Sequence, residues 1–473
     1  MVGVGAASTD AGVAELMTLA AQAAAADAGA PGLLASVDDI LVPQGSWALT
    51  DPGRSVARRI GAAAARTTRY EIGVSQQEMI NHGLDMVARG RAGVVLVVGG
   101  EARAFARRGG TEPDDAGAPP DRTVTRPPDF IAPVEASAGI VWPVVQQYAL
   151  IENALAAAED LTAEQQRGDI AGLWARCNQV AQHNPLAAFP APRTADDIAT
   201  PGPKNRPLAF PYNLWHSSQW TVDQAAALLI CSVEGAQELG VATERWVFPH
   251  VALHSSQAIT LTARGDLHRW PAMGVLGRAA EACVGQPLRE LPLAEVYSCF
   301  PAAVRVQQRE LGLPPEGTPT VTGGMTFAGG PFNNYVLQAM AALVPRLRER
   351  PDDRALITTV SGMLSKPGLA VWSCTPPSTE TCTGDLGAEG SAVTDIRPVA
   401  QPGAAEGPAR VVSATVTYGS EDPLEPVRTA VLLDLADGCR TAATCEDPLI
   451  ARATLTEGLI GRVVHVNDAT FTL

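Results

Sequence analysis

Lysine is almost missing from this 473-residue sequence: of 35 basic side chains, only Lys204 and Lys366 are lysines. A phosphorylated ligand would have to rest on arginines or backbone amides. Cysteine pairs are missing too. The eight cysteines, at 177, 231, 283, 299, 374, 382, 439 and 445, form no C-x-x-C, and no histidine stands at zinc-ligand spacing from two of them. A metal site is therefore not expected. No run of about 18 apolar residues occurs, so no membrane-spanning segment is expected. The opening MVGVGAASTDAG lacks the basic start and leucine-rich centre of a leader. These absences point to a cytoplasmic protein with reduced thiols. Basic residues are also too few for a nucleic-acid partner, because the formal net charge is −15. A dinucleotide fingerprint is absent as well, since VLVVGGEA has no G-x-G-x-x-G after the strand.

What the sequence has is apolar content, 46% of residues, enough for a large core divided into about three units. It also repeats itself. GVAELMTLAAQAAAADAG (Gly12 to Gly29) reads as a buried helix ended by glycine, and VDDILV follows as a strand; MGVLGRAAEACVG (Met273 to Gly285) and then LAEVYSCF (Leu293 to Phe300) give the same order. A second pair begins at Gly73. There a glycine elbow leads into a helix with Met79, Ile80, Leu84 and Val87 on one face, then the apolar strand GVVLVVGG. GGPFNNY, VLQAMAALVPRLRER and ALITTVSG repeat elbow, helix and strand. Strands apolar on both faces belong inside helix-covered sheets, so the duplication predicts an α/β fold of two stacked mixed sheets in αβαβα layers.

The two halves are interrupted. Arg107 to Phe130 is rich in Pro, Gly and charge, which marks a loop excursion. After VWSCTPPSTETCTGDLG, short and partly alternating runs predict a small, OB-like barrel of about five strands. From Arg410 onward its aromatics are limited to Tyr418 and Phe471, too few for a nucleic-acid platform. The expected units are 1–103 plus 216–262 for the first half, 104–215 for the insertion, 263–375 for the second half and 376–473 for the barrel.

The segments VDQAAALLICSVEGA, RWVFPH, VYSCFPAAV and VTGGMTFAGGPFNNYV, in this chain order and with the duplicated elbows, resemble the thiolase superfamily over roughly residues 1 to 375. Within it they look like the thiolase-like type 1 group, known from mycobacteria and often labelled acetyl-CoA acetyltransferase, which carries an extra C-terminal domain. The resemblance implies a dimer, or a monomer if the extra domain masks the dimer surface. It implies no required cofactor, with coenzyme A or an acyl-CoA as the ligand.

Thiolases place a nucleophilic cysteine at a helix start, where the dipole favours thiolate, and hold the thioester oxygen with histidine and an asparagine-bound water. Carried onto this sequence, the nucleophile falls at Gly73, the Asn-Glu-Ala-Phe motif at Tyr297, Ser298, Cys299 and Phe300, the histidine at Gly330, and the second cysteine at Val360 before Ser361. All four catalytic roles are vacant. The resemblance thus implies a thiolase-like acyl-CoA protein that is not a working thiolase. Two alternatives stay open. One is a C–C lyase or acyltransferase using Tyr297, in the place where a retro-aldolase branch has a tyrosine, with a partner chain; the other is a scaffold acting through the C-terminal domain.

The remaining polar residues have plainer readings. Ser75 and Glu78 are spaced as a capping box, and Asn333 and Asn334 are placed to cap the second central helix. Cys299 reads as a packing thiol. His82 lies within helical reach of Gly73, and His250 with His254 reads as a surface or cleft-edge pair.

Overall fold

The computed structural model describes residues 1–114, 117–126, 131–141 and 143–473. The first half opens with β1 (Gly3–Ala7) and α1 (Val13–Ala28), whose Leu16, Met17, Ala20, Ala21 and Ala24 are buried and which ends at Gly29 as the sequence suggests. It continues through β2 (Asp39–Pro43), α2 (Pro52–Arg59), β3 (Arg66–Tyr70), α3 (Gln76–Ala88) and β4 (Val94–Ala102). The inserted segment carries α4 (Arg103–Arg107), β5 (Arg122–Val124), α5 (Pro133–Ser137), α6 (Val145–Ala158), α7 (Ala163–Ala181), α8 (Ala195–Ala199) and the short strands β6 (Pro207–Ala209) and β7 (Tyr212–Asn213). Parts of the expected excursion, 115–116 and 127–130, lie outside the described residues. The chain then returns with β8 (Asp223–Cys231) and α9 (Val233–Glu238).

The second half contains β9 (Phe248–His254), α10 (Pro271–Val284), β10 (Leu293–Glu295), α11 (Pro301–Leu311), α12 (Gly324–Phe327), α13 (Tyr335–Glu349), β11 (Arg354–Ser361), β12 (Lys366–Ser373) and β13 (Cys382–Asp385). Two sheets result, ordered β1-β8-β4-β2-β3-β5 and β10-β11-β12-β9-β13. The duplication is legible in the pairings. β8 runs antiparallel to β1 and β4, and β4 parallel to β2. In the same way β12 runs antiparallel to β9 and β11, and β11 parallel to β10. α3 and α13 each touch both sheets and form the central layer, while α1 and α10 cover the outer faces. Helices between and outside two mixed sheets are the layers that the sequence predicts.

Several boundaries differ from the sequence reading. β9 pairs with β12, so residues 248–254 belong to the second sheet and not to the first half. An apolar strand carries no mark of which sheet it enters. β13 pairs with β9, and α14 (Gly387–Val393) packs on α10, so the segment just after 375 completes the second half instead of starting the barrel. LAEVYSCF is strand only to Glu295. A disulfide joins Cys283 on α10 to Cys382 on β13, with Cα atoms 6.3 Å apart, which corrects the expectation of uniformly reduced thiols.

The C-terminal strands β14 (Glu406–Tyr418), β15 (Pro426–Leu435), β16 (Arg440–Cys445), β17 (Val463–Asn467) and β18 (Thr470–Thr472), with α15 (Pro448–Glu457), form a ring β14-β15-β16-β18-β17 that closes on β14. Val411, Val431, Leu433, Val466 and Phe471 fill it. It is bonded to the insertion: Ser413 Oγ donates to Leu150 O at 2.7 Å, and Asn153 Nδ2 donates to Ala414 O at 2.8 Å and to Phe210 O at 2.9 Å. Among the described residues, no helix is long and apolar enough to cross a membrane.

Candidate functional site

The two elbows meet where the central helices begin. Gly73 takes φ +106°, a backbone state that side chains resist, and the chain turns there into α3. Ser75 is the N-cap: its Oγ accepts from the Glu78 amide at 3.1 Å. Glu78 does not reach back, because its carboxylate pairs with Arg126. The expected box is therefore half formed. The Gly73 carbonyl accepts from the buried Lys366 ammonium. No motif pointed to Lys366, although the scarcity of lysine singled it out.

The glycine-rich loop is held by Glu295, a carboxylate at the end of β10 that is 1% exposed. It accepts from the Val321 and Thr322 amides at 2.8 and 3.0 Å and from the Tyr335 hydroxyl at 2.6 Å, with Thr320 Oγ1 at 3.0 Å. Burial raises its pKa while these donors oppose the rise. Ser298 joins the clamp, its Oγ accepting from the Met325 amide at 3.0 Å.

Ser218 crowds Gly330. A Cβ there would lie 1.9 Å from Ser218 Oγ, 3.2 Å from Ser218 Cβ and 3.3 Å from Met325 O. Any side chain there requires the Ser218 hydroxyl to move. The Gly330 amide is also committed, donating to Gln219 O at 2.9 Å. Neither a side chain nor a free amide is offered to a ligand at this position.

Asn333 and Asn334 do not cap α13 with their side chains. Asn333 adopts φ +55° and its Nδ2 donates to Gln44 O at 3.0 Å. Asn334 occupies the N-cap position fully buried, without a partner for either side-chain atom among the described residues. The cap comes from the other central helix. Gln76 Oε1 accepts from the Val336 amide at 2.9 Å, a tertiary contact that local sequence does not signal.

Tyr297 and Cys299 follow Glu295 into this space. The Tyr297 ring is partly buried and lies edge-on to Tyr335 with centroids 5.7 Å apart; among the described residues no protein group bonds its hydroxyl. Burial raises its pKa, with Cys299 a smaller contribution. Cys299 is buried near the Tyr148 hydroxyl, and burial pushes its thiol up to about 12. It stays protonated at neutral pH and is a poor nucleophile. Tyr148, which the sequence did not single out, stacks on Phe300 at 4.5 Å and donates to Gly362 O at 3.1 Å. That bond fixes the turn after Val360 and Ser361, which pair with Pro367 and Lys366 across the hairpin. Gly73, Tyr297, Cys299, Gly330, Val360 and Ser361 thus stand at the elbows and strand ends of the two halves.

His82 turns elsewhere. Its Nδ1 contacts the Tyr70 hydroxyl on β3, and burial lowers its pKa. His250 and His254 lie on β9, four residues apart on a strand, not on a helix. His250 Nε2 faces Thr375 O at 2.8 Å, while His254 Nδ1 lies 3.1 Å from Asn81 Nδ2.

No family model matches the sequence. Among curated proteins, an acetyl-CoA acetyltransferase of Methanocaldococcus jannaschii is 28% identical over 137 residues, 29% of this chain and 33% of that protein. The match thus spans about a third of that relative's length. Among solved structures, a monomeric SCP2-thiolase-like protein type 1 from Mycobacterium smegmatis superposes with TM-score 0.84 at 28% identity, covering 100% of this chain and 98% of that one. An Ltp2-ChsH2(DUF35) aldolase, at TM-score 0.57 and 21% identity, shares the fold over 79% of this chain and 97% of its own. So does human mitochondrial 3-ketoacyl-CoA thiolase, at TM-score 0.54 and 17% identity, over 79% and 98%. With the duplicated sheets, the closed barrel and a match along its whole length, the chain has the thiolase fold and is similar from end to end to the SCP2-thiolase-like protein type 1.

Proposed function

We propose that this chain is an acyl-CoA-binding protein built on the thiolase fold that no longer performs Claisen condensation. The observation that carries the reading is the crowded position of Gly330, where the fold offers neither a side chain nor a free amide. Loss of one oxyanion donor alone costs about a hundredfold to a thousandfold in rate. The Gly73 elbow adds a second deficit, because glycine cannot form an acyl-enzyme. Cys299, with its thiol raised to about 12, is no substitute. No cofactor is required in this reading.

Calorimetric titration with coenzyme A and acyl-CoAs of increasing chain length tests the ligand, and intact-mass measurement after incubation with acetyl-CoA tests the chemistry. Binding without a covalent mass increase is expected. An acylated side chain would overturn the loss of chemistry, and no heat at millimolar thioester would overturn the ligand assignment.

A second reading rests on the Tyr297 hydroxyl, which has no protein partner among the described residues. It could donate to or accept from a reacting oxygen in C–C cleavage or acyl transfer, with a partner chain completing the site. Tyr297→Phe decides this: turnover that persists unchanged on any substrate found removes the tyrosine from the chemistry.

A further inference from the structure

A hollow of about 380 Å³ opens between α7, the end of α13 and Thr318, which lies on the loop after α11. That volume falls within the range of small-molecule sites, about 300–1,000 Å³. Arg176, Gln179, Val180 and His183 come from α7 at spacing i, i+3, i+4 and i+7, so a single stripe of that helix makes the wall. Arg346 joins them from the last turn of α13, about 16 Å of helical rise beyond Tyr335 and the elbow loop.

The fold does not use up the charge of these two arginines. Arg176 Nε donates to Thr318 Oγ1 at 3.2 Å, a neutral contact that steadies the guanidinium and leaves its charge uncompensated. Among the described residues no carboxylate comes within ion-pair distance of Arg176 or Arg346, and the hollow is lined by no Asp or Glu. Arg348, two residues further along α13, shows the contrast: its Nη1 lies 2.8 and 2.7 Å from the Asp27 carboxylate oxygens. In a chain with 50 acidic and 35 basic side chains, two arginines that share a hollow without an acid are conspicuous. Two like charges on one hollow repel, and an anion between them turns that repulsion into attraction.

The rest of the lining selects among anions. The Thr318 hydroxyl and the Gln179 carboxamide add neutral hydrogen-bonding groups, while Val180 is the apolar member of the wall. A fatty or aromatic acid would find little to lie against. Guanidinium forks match the oxygens of a phosphate group, and in a chain with two lysines arginine is the side chain left to do so. The net charge of −15 disfavours an extended polyanion or an anionic membrane surface, which a small phosphorylated molecule escapes by entering the hollow alone.

We infer that this hollow binds the phosphate monoester group of a small molecule, held between Arg176 and Arg346. Nothing in this site depends on the thioester reading of the elbow region. A free glycerol phosphate and the ribose phosphate of coenzyme A share the chemistry, and the arms of the test separate them. The full-length protein in phosphate-free buffer is titrated with sodium phosphate, with glycerol phosphate and, at equal ionic strength, with sodium chloride, followed by calorimetry and thermal unfolding. Both phosphates are expected to bind saturably and to raise the unfolding midpoint above that in chloride. Arg346→Gln removes a charged donor that makes no bond to the fold among the described residues, and it is expected to weaken phosphate binding about tenfold. Arg350→Gln removes the same charge from an exposed residue outside the lining and is expected to leave binding unchanged. Displacement of phosphate by coenzyme A but not by dephospho-coenzyme A would assign the hollow to the coenzyme's ribose phosphate; phosphate retained in the presence of coenzyme A would assign it to a free phosphomonoester. An equal response to chloride, or equal losses in Arg346→Gln and Arg350→Gln, would overturn the site whatever the elbow region binds.

Discussion

At the scale of single residues, the chemistry of the elbow region is decided by space and by burial. Under the proposed reading, Gly330→His should not produce thiolase turnover. The new side chain must displace Ser218, whose Oγ lies 1.9 Å from the position of a Cβ. Overpacking of this kind costs about 1–3 kcal/mol, so the variant should unfold at lower denaturant, and Ser218→Gly in the same chain should recover part of the loss. Burial contributes to the acid sensitivity of stability through His216, which is 1% exposed and accepts from the Asn213 amide at 3.0 Å. Desolvation lowers its pKa from 6.5 to about 3. A folded-state pKa below the unfolded one means that the unfolded chain takes up the proton first. The stabilisation is therefore complete above pH 6.5 and is lost as pH falls toward 3. Denaturant titrations across that window should show the fall, and His216→Gln, which cannot titrate, should make it shallower, with His82, His250, His254 and His268, whose pKa values burial also lowers, carrying the rest.

At the scale of elements, α13 begins on a contact supplied by α3. The Gln76 side chain, 3% exposed, is the acceptor for the Val336 amide, and Gln76→Ala leaves that donor buried and unpaired. The expected loss is about 1–3 kcal/mol, read from chemical denaturation, while Asn333→Ala should cost less because its amide bonds only Gln44 O near the surface of the loop. The contrast shows where sequence reading reached. The α13 helix was legible because Leu337, Met340, Val344 and Leu347 recur on one buried face, and Ser75 because its hydroxyl acts three residues along the chain. Local patterns carry such signals. The cap from Gln76 crosses 260 residues, the Cys283–Cys382 link crosses 99, and β9 reads the same whichever sheet it joins. Gly330 was singled out as vacant, yet only the structure shows that Ser218 crowds it.

At the scale of the whole molecule, the covered edge of the first sheet bears on the oligomeric state. The family resemblance implies a dimer, and an open sheet edge invites pairing because its amides and carbonyls are unsatisfied. Here the β3 edge is taken within the chain: β5 lies parallel to it, with Arg122 beside Thr68, Thr123 beside Arg69 and Val124 beside Tyr70. The insertion, not the C-terminal barrel, covers this strand, while the barrel is bonded to α6 on a different part of the molecule. Light scattering should therefore give a monomer at the 49.2 kDa chain mass. The cover is only three residues long, and Thr123→Pro removes one of its amides and disfavours the extended pairing. If β5 is what blocks association, that variant should shift toward dimer as concentration rises, whereas a truncation inside the barrel ring should not. A wild-type dimer, or a Thr123→Pro protein that stays monomeric at every concentration with its β3 edge exposed to hydrogen exchange, would mean that another surface controls assembly.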